Sequence, residues 1–362
     1  MSQKLSVVIP VHNAEQIIKK TVKAIIEQDY NDKELILVEN GSSDRTWDTL
    51  KELSRTYDKL VRVFQNSEPG TSLARKKGIE MARGKYIVFS DQDDTYINKA
   101  ALSEMVSFIE KTGSQICQFG YYSSLFGIRK NHQMVKEEKT FERTELDQKE
   151  IAGIFSYVSS SLTPNVWTKI YDAEVLKEAA KKVDVPLFRC EDMYLNTIAF
   201  YEPAVQQVSV SPKSYYVWHT AIGTSGEDEA GHYLFMEYRY LKPLAATMAM
   251  ENGNYQNILK AIHLETIGFF RALIVGMIRN GQSEEAILQR ISEYDHLAFI
   301  QDAKHFLHEN CKYTSKEPIA FLTGSYTPEE YFSYIKEHMP KQTLRNIIAV
   351  QIRKAARILK NK

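Results

Sequence analysis

Cysteine is scarce in this sequence: Cys117, Cys190 and Cys311 are the whole complement, odd in number, far apart and without C-x-x-C spacing. That argues against a disulfide framework or a thiolate metal site and fits a reducing cytoplasm. Net charge is equally lacking, with 46 basic against 46 acidic side chains, so no global field draws the chain to nucleic acid and any basic surface is local. Long apolar runs are few. Leu5–Pro10 is too short for the core of a leader peptide with its cleavage site and reads as a strand. Ile267–Ile278, which contains Arg271, is about half the roughly 20 residues of a membrane-spanning helix and reads as a buried core helix. No G-x-G-x-x-G follows a strand pattern and no G-x-x-x-x-G-K-S/T occurs. The phosphate cradles of dinucleotide oxidoreductases and P-loop phosphotransferases are therefore missing.

What is present is an alternation. Short β-branched runs at Leu5–Ile9, Glu34–Val38, Leu60–Phe64 and Tyr86–Phe89 are separated by amphipathic segments, the pattern of strand–helix–strand units building a mainly parallel sheet. Ile18, Val22, Ile25 and Ile26 lay one apolar stripe on that sheet. Ala74, Gly78, Met81 and Ala82 lay another, with small residues that permit close packing. The carboxyl edge then gathers Pro10–Asn13, Glu39–Asp44 and Asp91–Asp94, where open α/β sheets bind ligands. Beyond about Gly226 the chain turns to long helical patterns, Tyr233–Met248 (kinked at Pro243), Ile258–Arg279 and Glu284–Tyr294. The Gly, Ser and acidic stretch Thr224–Glu229 marks the boundary, giving an α/β domain over 1–225 and an all-helical domain over 226–362.

The strongest chemical signal is the apolar strand Tyr86–Phe89 delivering Asp91, Asp93 and Asp94 at its end. Carboxylates suit a nucleotide diphosphate only with a divalent cation between them, and hard oxygens suit Mn²⁺ or Mg²⁺. On an extended chain Asp91 and Asp93 face one way and Asp94 another; the alternative is a surface turn capping the next helix. A second cluster, Phe188-Arg189-Cys190-Glu191-Asp192, sits at a helix start, where carboxylates also simply favour the positive helix end. Adjacent helix residues diverge by about 100°, so only one of the pair could act as a base toward an acceptor.

In order and spacing these segments closely resemble family-2 glycosyltransferases: Leu5–Asn13, Glu34–Asp44, Gly70 with Ala74, Arg75 and Gly78, then Gly84-Lys85-Tyr86 leading into the Asp-x-Asp. The match is tight over residues 4–97 and looser to about 225. The resemblance implies a GT-A type fold and an inverting transfer of a hexose from a UDP-sugar to a hydroxyl of a glycan or glycosylated protein. It implies nucleotide-sugar contacts at Pro10, Val11, Glu39, Arg75, Asp91 and Gln92, with Asp93 as the main metal ligand and Asp192 as the catalytic base. Glu191 is left for acceptor or scaffold contacts. Pro164–Tyr171 resembles the acceptor-side segment, with Trp167 and Lys169 as its contacts, although Trp167 reads equally as a core residue. Tyr215–Gly226 resembles the segment that closes over the pyrophosphate, making His219 a leaving-phosphate or metal contact. Two departures stand out: His12 where the family has Tyr, and Glu39-Asn40 where it has Asp-Asp.

A sugar nucleotidyltransferase is the rival enzyme, but Val11–Glu15 is not the Gly-rich basic loop it requires. A non-catalytic scaffold in a glycosylation complex is the other alternative, and intact Asp91, Asp93 and Asp192 speak against it. The expected location is cytoplasmic, with peripheral contact at the inner face of the membrane as a second option. Lys341–Lys362 carries seven basic and no acidic residues. Its stripe of Leu344, Ile348, Ile352, Ala355 and Leu359 suits packing or self-association more than an anionic membrane, because it lacks aromatic anchors.

Overall fold

The computed structural model describes residues 4–125, 127–148, 150–154, 161–188, 190–219, 255–310, 324 and 326–339. The chain divides into two compact units, Met1–Gly223 and Thr224–Lys362. The helical pattern Tyr233–Met248, the Gly223–Gly226 loop and the basic segment Lys341–Lys362 lie outside the described residues.

The first unit opens with the alternation anticipated from sequence: β1 (Leu5–Val11), α1 (Ile18–Ile26), β2 (Lys33–Glu39), α2 (Thr46–Thr56), β3 (Val61–Gln65), α3 (Thr71–Met81) and β4 (Tyr86–Phe89). It continues with β5 (Thr95–Tyr96), α4 (Ala101–Thr112), β6 (Ile116–Leu125), β7 (Ile128–His132), β8 (Lys139–Glu142), α5 (Arg143–Gln148), β9 (Lys169–Asp172), α6 (Ala173–Lys181), α7 (Glu191–Phe200) and β10 (Gln207–His219). Ten strands form one sheet in the order β3-β2-β1-β4-β9-β6-β10-β5, with β7 beside β6 and β8 beside β10. The β3-β2-β1-β4 half is wholly parallel. The β4–β9 and β9–β6 pairs are antiparallel, so the sheet is mixed.

Burial explains the parallel half. Every residue of β2 and β4 is buried, as expected of strands covered by helices on both faces. The polar start of β2 is compensated locally: Lys33 Nζ donates to the carbonyls of Gln28 and Tyr30. Glu34 accepts from Ser6 Oγ and Arg62 Nη1, at 2.8 and 2.9 Å. Helix α3 lies so close to β1 that a Cβ at Gly78 would fall 2.3 Å from Val8 Cγ1. Only glycine fits there, which is the close packing its small-residue stripe anticipates.

The second unit contains α8 (Tyr255–Arg279), α9 (Glu284–Asp295), α10 (Ala298–Asn310) and α11 (Pro328–Glu337). They pack around Phe270, Ile274, Ile291, Ile300, Leu307, Tyr331 and Ile335. Helix α11 starts with a capping box, Thr327 with Glu330. Among the described residues the apolar span of α8 is longer than Ile267–Ile278: it covers Ile258–Arg279, 22 residues, enough to cross a membrane by length and composition, while Ile258, Ile262, Phe270 and Ile274 are fully buried, as the core-helix reading expects. An 18-residue window of that span is 56% buried.

Candidate active site

Three loops meet at the carboxyl edge of the parallel strands. Gln92 returns to β1 through two hydrogen bonds, accepting from the His12 N–H at 2.7 Å and donating to the His12 carbonyl at 2.9 Å. Asn13 Oδ1 accepts from the Ser43 N–H at 2.8 Å, joining the ends of β1 and β2. Asn40 Oδ1 accepts from the Gly70 N–H at 2.8 Å and so fixes the start of α3. Asn13 holds a left-handed φ of 48°, a conformation Asn tolerates better than most residues. Asp44 accepts from the Thr46 N–H at 3.0 Å, a helix-start role.

The acidic segment after β4 is not extended. Asp91–Asp94 forms a turn, with Asp94 N–H donating to the Asp91 carbonyl at 3.4 Å. The backbone N–H of Asp91 donates to Tyr216 Oη on β10, at 2.8 Å. Asp94 is buried and accepts from the His219 N–H at 2.7 Å. The turn is thus held from β10, through contacts that a reading confined to neighbouring sequence does not reveal.

Arg75 unites the two acidic clusters. Its side chain, 3% exposed, sends Nη2 to Asp91 Oδ1 at 3.3 Å and Nη1 to Glu191 Oε1 and Asp192 Oδ1 at 2.8 and 2.7 Å. Residues more than a hundred positions apart thereby share one guanidinium. Glu191 and Asp192 are the first residues of α7, where the helix dipole favours their charge. The residue before them, Cys190, is left-handed at φ 57°. Asp192 Oδ2 also accepts from the Val166 N–H at 3.2 Å. Although adjacent helix positions diverge, both carboxylates reach the same nitrogen.

One cation facing three carboxylates leaves a negative surplus. Burial raises the Asp192 carboxyl well above the ordinary carboxylate range, Arg75 opposes that rise, and Glu191 and Asp91 add to it. Burial likewise raises Asp91, with Arg75 opposing and Asp93 adding, and raises Asp94, to which Asp91 and Asp93 contribute. A divalent cation would relieve this repulsion. The oxygen donors suit it, and Asp94 Oδ2 is buried with no hydrogen-bond partner. Among the described residues no three His, Cys, Asp or Glu side chains form a ready metal cage, so a cation here would draw its further ligands from a diphosphate and water. His219 stands beside the acidic turn, its Nε2 3.0 Å from Thr95 Oγ1 and its pKa lowered by burial.

Several sequence-derived contacts change meaning. Arg75, expected as a nucleotide-sugar contact, is enclosed by carboxylates. Lys169, expected at the acceptor, is fully buried: its Nζ donates to the carbonyls of Thr163 and Asn165 at 2.6 and 2.7 Å. Trp167, 8% exposed, stacks on Tyr216 at 4.7 Å and meets Tyr121 edge-on, so the core alternative describes it. The Val11 side chain is in the core, and its carbonyl accepts from the Asn40 N–H. Glu39 is 5% exposed and accepts from the Ser42 N–H. Pro10 is half-buried at the same edge. Sequence reasoning overlooked Asn196 on α7, which bonds Tyr171 and Pro164, and did not reveal Tyr216 as the partner of the Asp91 N–H.

Residues 6–163 match the family model described as Glycosyl transferase family 2. Over 222 residues, 59% of this chain, the sequence is 27% identical to "Uncharacterized glycosyltransferase EpsJ" of Bacillus subtilis. Over 239 residues, 66% of the chain, it is 26% identical to the poly(ribitol-phosphate) beta-N-acetylglucosaminyltransferase TarS of Staphylococcus aureus. The chain spans 60% of the first relative's length and 39% of the second's. The crystal structure of Staphylococcus aureus TarS 1-349 in complex with UDP-GlcNAc shares the fold at a TM-score of 0.50 and 19% identity, over 86% of this chain and 93% of that one. Residues 6–163, the segment that carries the acidic turn on a mixed, mostly parallel sheet flanked by helices, are thus similar to the glycosyl transferase family 2 domain.

Proposed function

We propose that the protein transfers a hexose or N-acetylhexosamine from a UDP-sugar to a hydroxyl of a glycan or glycosylated acceptor, with inversion at the anomeric carbon. One observation carries the reading: Arg75 holds the Asp91 turn and the Asp192 helix start at a single point, so a donor at the first lies beside a base at the second.

In this reading the carboxyl edge formed by Pro10, Glu39, Asp91 and Gln92 receives the nucleotide. Asp192 takes the acceptor hydroxyl's proton as its oxygen attacks. Burial lifts the Asp192 carboxyl toward neutrality, which makes it a stronger base than an exposed carboxylate. Arg75 opposes the protonation that burial favours at Asp192, and Val166 N–H donates to its second oxygen. Asp93, with His219 nearby, would hold Mn²⁺ or Mg²⁺. When bound, such a cation supplies charge stabilisation at the diphosphate leaving group. The UDP and N-acetylhexosamine assignments draw on the name of the TarS relative and on its UDP-GlcNAc complex. The cytoplasm is the proposed location.

Release of UDP from UDP-GlcNAc, UDP-glucose and UDP-galactose, with and without chelator, tests the reading. Release from at least one donor, suppressed by chelation, is the expected result. Silence with all three donors alongside turnover of UTP and a sugar 1-phosphate would replace it with a nucleotidyltransferase.

A further inference from the structure

Lys169 lies at the start of β9 with its side chain wholly out of solvent. Burying an ammonium is costly unless its donors are met. Here they are: Nζ donates to the Thr163 carbonyl at 2.6 Å and the Asn165 carbonyl at 2.7 Å, and lies 3.4 Å from Thr168 Oγ1. The carbonyl between them, Pro164, accepts from Asn196 Nδ2 at 2.5 Å. Asn196 is oriented in turn by Tyr171 Oη, which donates to its Oδ1 at 2.7 Å. Three consecutive carbonyls are thus held by buried donors, and the next backbone group along, Val166 N–H, donates to Asp192 Oδ2. Asn196 stands four residues beyond Asp192 on α7, on the same helix face, so both ends of the clamp close on the helix that carries the carboxylate.

We propose that Lys169 is a positioning residue for Asp192: by clamping residues 163–165 it aims the Val166 N–H at the Asp192 carboxylate. The inference rests on the reading of Asp192 as the base but concerns a physical coupling measurable without substrate. The charged groups facing Asp192 are Arg75 from α3, Glu191 from its own helix and Asp91 from the turn after β4; Lys169 feels the Asp192 charge from β9. Burial lowers the Lys169 pKa to about 7, and the Asp192 charge opposes that fall. Losing Lys169 removes a nearby positive charge and frees the Val166 N–H. Both changes disfavour the Asp192 carboxylate and raise its pKa.

The test is ¹³C NMR of protein labelled at the aspartate carboxyl carbons, with the Asp192 signal assigned by its loss in Asp192→Asn. In folded Lys169→Met the Asp192 midpoint is expected to rise by about half a pH unit or more. Tyr171→Phe, which loosens the same clamp through Asn196 more gently, is expected to move it in the same direction. That second variant carries the test if Lys169→Met does not accumulate in folded form. An Asp192 midpoint unchanged in whichever variants fold overturns the proposal and leaves Lys169 a purely structural cation. Turnover of Asp192→Asn, read separately, reports on the base assignment, so the two ideas fail independently.

Discussion

Replacing Arg75 by Met removes the one cation shared by Asp91, Glu191 and Asp192 while retaining much of the side-chain volume. Arg75 is 3% exposed and its partners are 33%, 16% and 18% exposed, so solvent compensates poorly. Breaking a buried ion pair by deleting one partner typically costs about 3–5 kcal/mol, because the remaining charges stay desolvated. Proton uptake limits that cost. In the variant the Asp91 and Asp192 carboxyls, already raised by burial, lie further above their unfolded-state pKa values, so the folded variant binds more protons than its unfolded chain. Its stability therefore falls as pH rises, and the gap to the parent protein widens from pH 5 to pH 8, by up to about 1.4 kcal/mol per unit for each proton concerned. Urea unfolding followed by tryptophan fluorescence reads this cleanly, since Trp47, Trp167 and Trp218 are the three tryptophans and all lie in the Met1–Gly223 unit. A gap below about 1 kcal/mol, or one equal at pH 5 and pH 8, would refute the picture of Arg75 as the buried counter-charge.

Gly78→Ala should lower the urea midpoint despite the gain of up to about 1 kcal/mol that alanine brings to a helix interior. A Cβ 2.3 Å from Val8 Cγ1 implies overpacking of about 1–3 kcal/mol, and a raised midpoint would show that α3 has room to shift. Asp93→Ala should abolish the metal-dependent part of UDP binding in calorimetry with Mn²⁺; unchanged affinity, with the same loss on chelation in both proteins, removes Asp93 from the metal site. For full-length protein and a version ending at Gln342, sedimentation with anionic vesicles should show little difference and oligomeric state a clear one, if the basic tail serves self-association. Salt-sensitive vesicle binding lost on truncation, without change in assembly, reverses that preference.

The parallel half of the sheet was legible because its strands are continuous apolar runs: Leu5–Val11 and Tyr86–Phe89 bury nearly every residue, and the intervening helices show a 3.6-residue period. The other half was not. Strand β9 has four residues and β5 two, while β10 carries Pro212 and register shifts between Val210 and Tyr216, so neither length nor alternation signals them. In the site, the acidic motifs could be read by type and spacing, but their joining through Arg75 spans 116 positions to Glu191 and exists only in the folded chain. Lys169 illustrates the opposite error. A lysine in an acceptor-like segment suggests an exposed contact, yet the carbonyls of Thr163 and Asn165 give its ammonium a buried place, and sequence pattern does not reveal carbonyls turned to a side chain by irregular backbone.

In the proposed mechanism Asp192 is the base in a site whose donor half is formed separately by the Asp91–Asp94 turn. The most direct test of this mechanism is the pairing of two numbers for Asp192→Asn: turnover of the active UDP-sugar and affinity for UDP in Mn²⁺. The account predicts turnover lowered by roughly 10²–10⁴, the usual span for a lost general base, with UDP affinity changed by less than about threefold, or about 0.7 kcal/mol. Turnover within about threefold of the parent, or a collapse of UDP binding matching the loss of turnover, would contradict it.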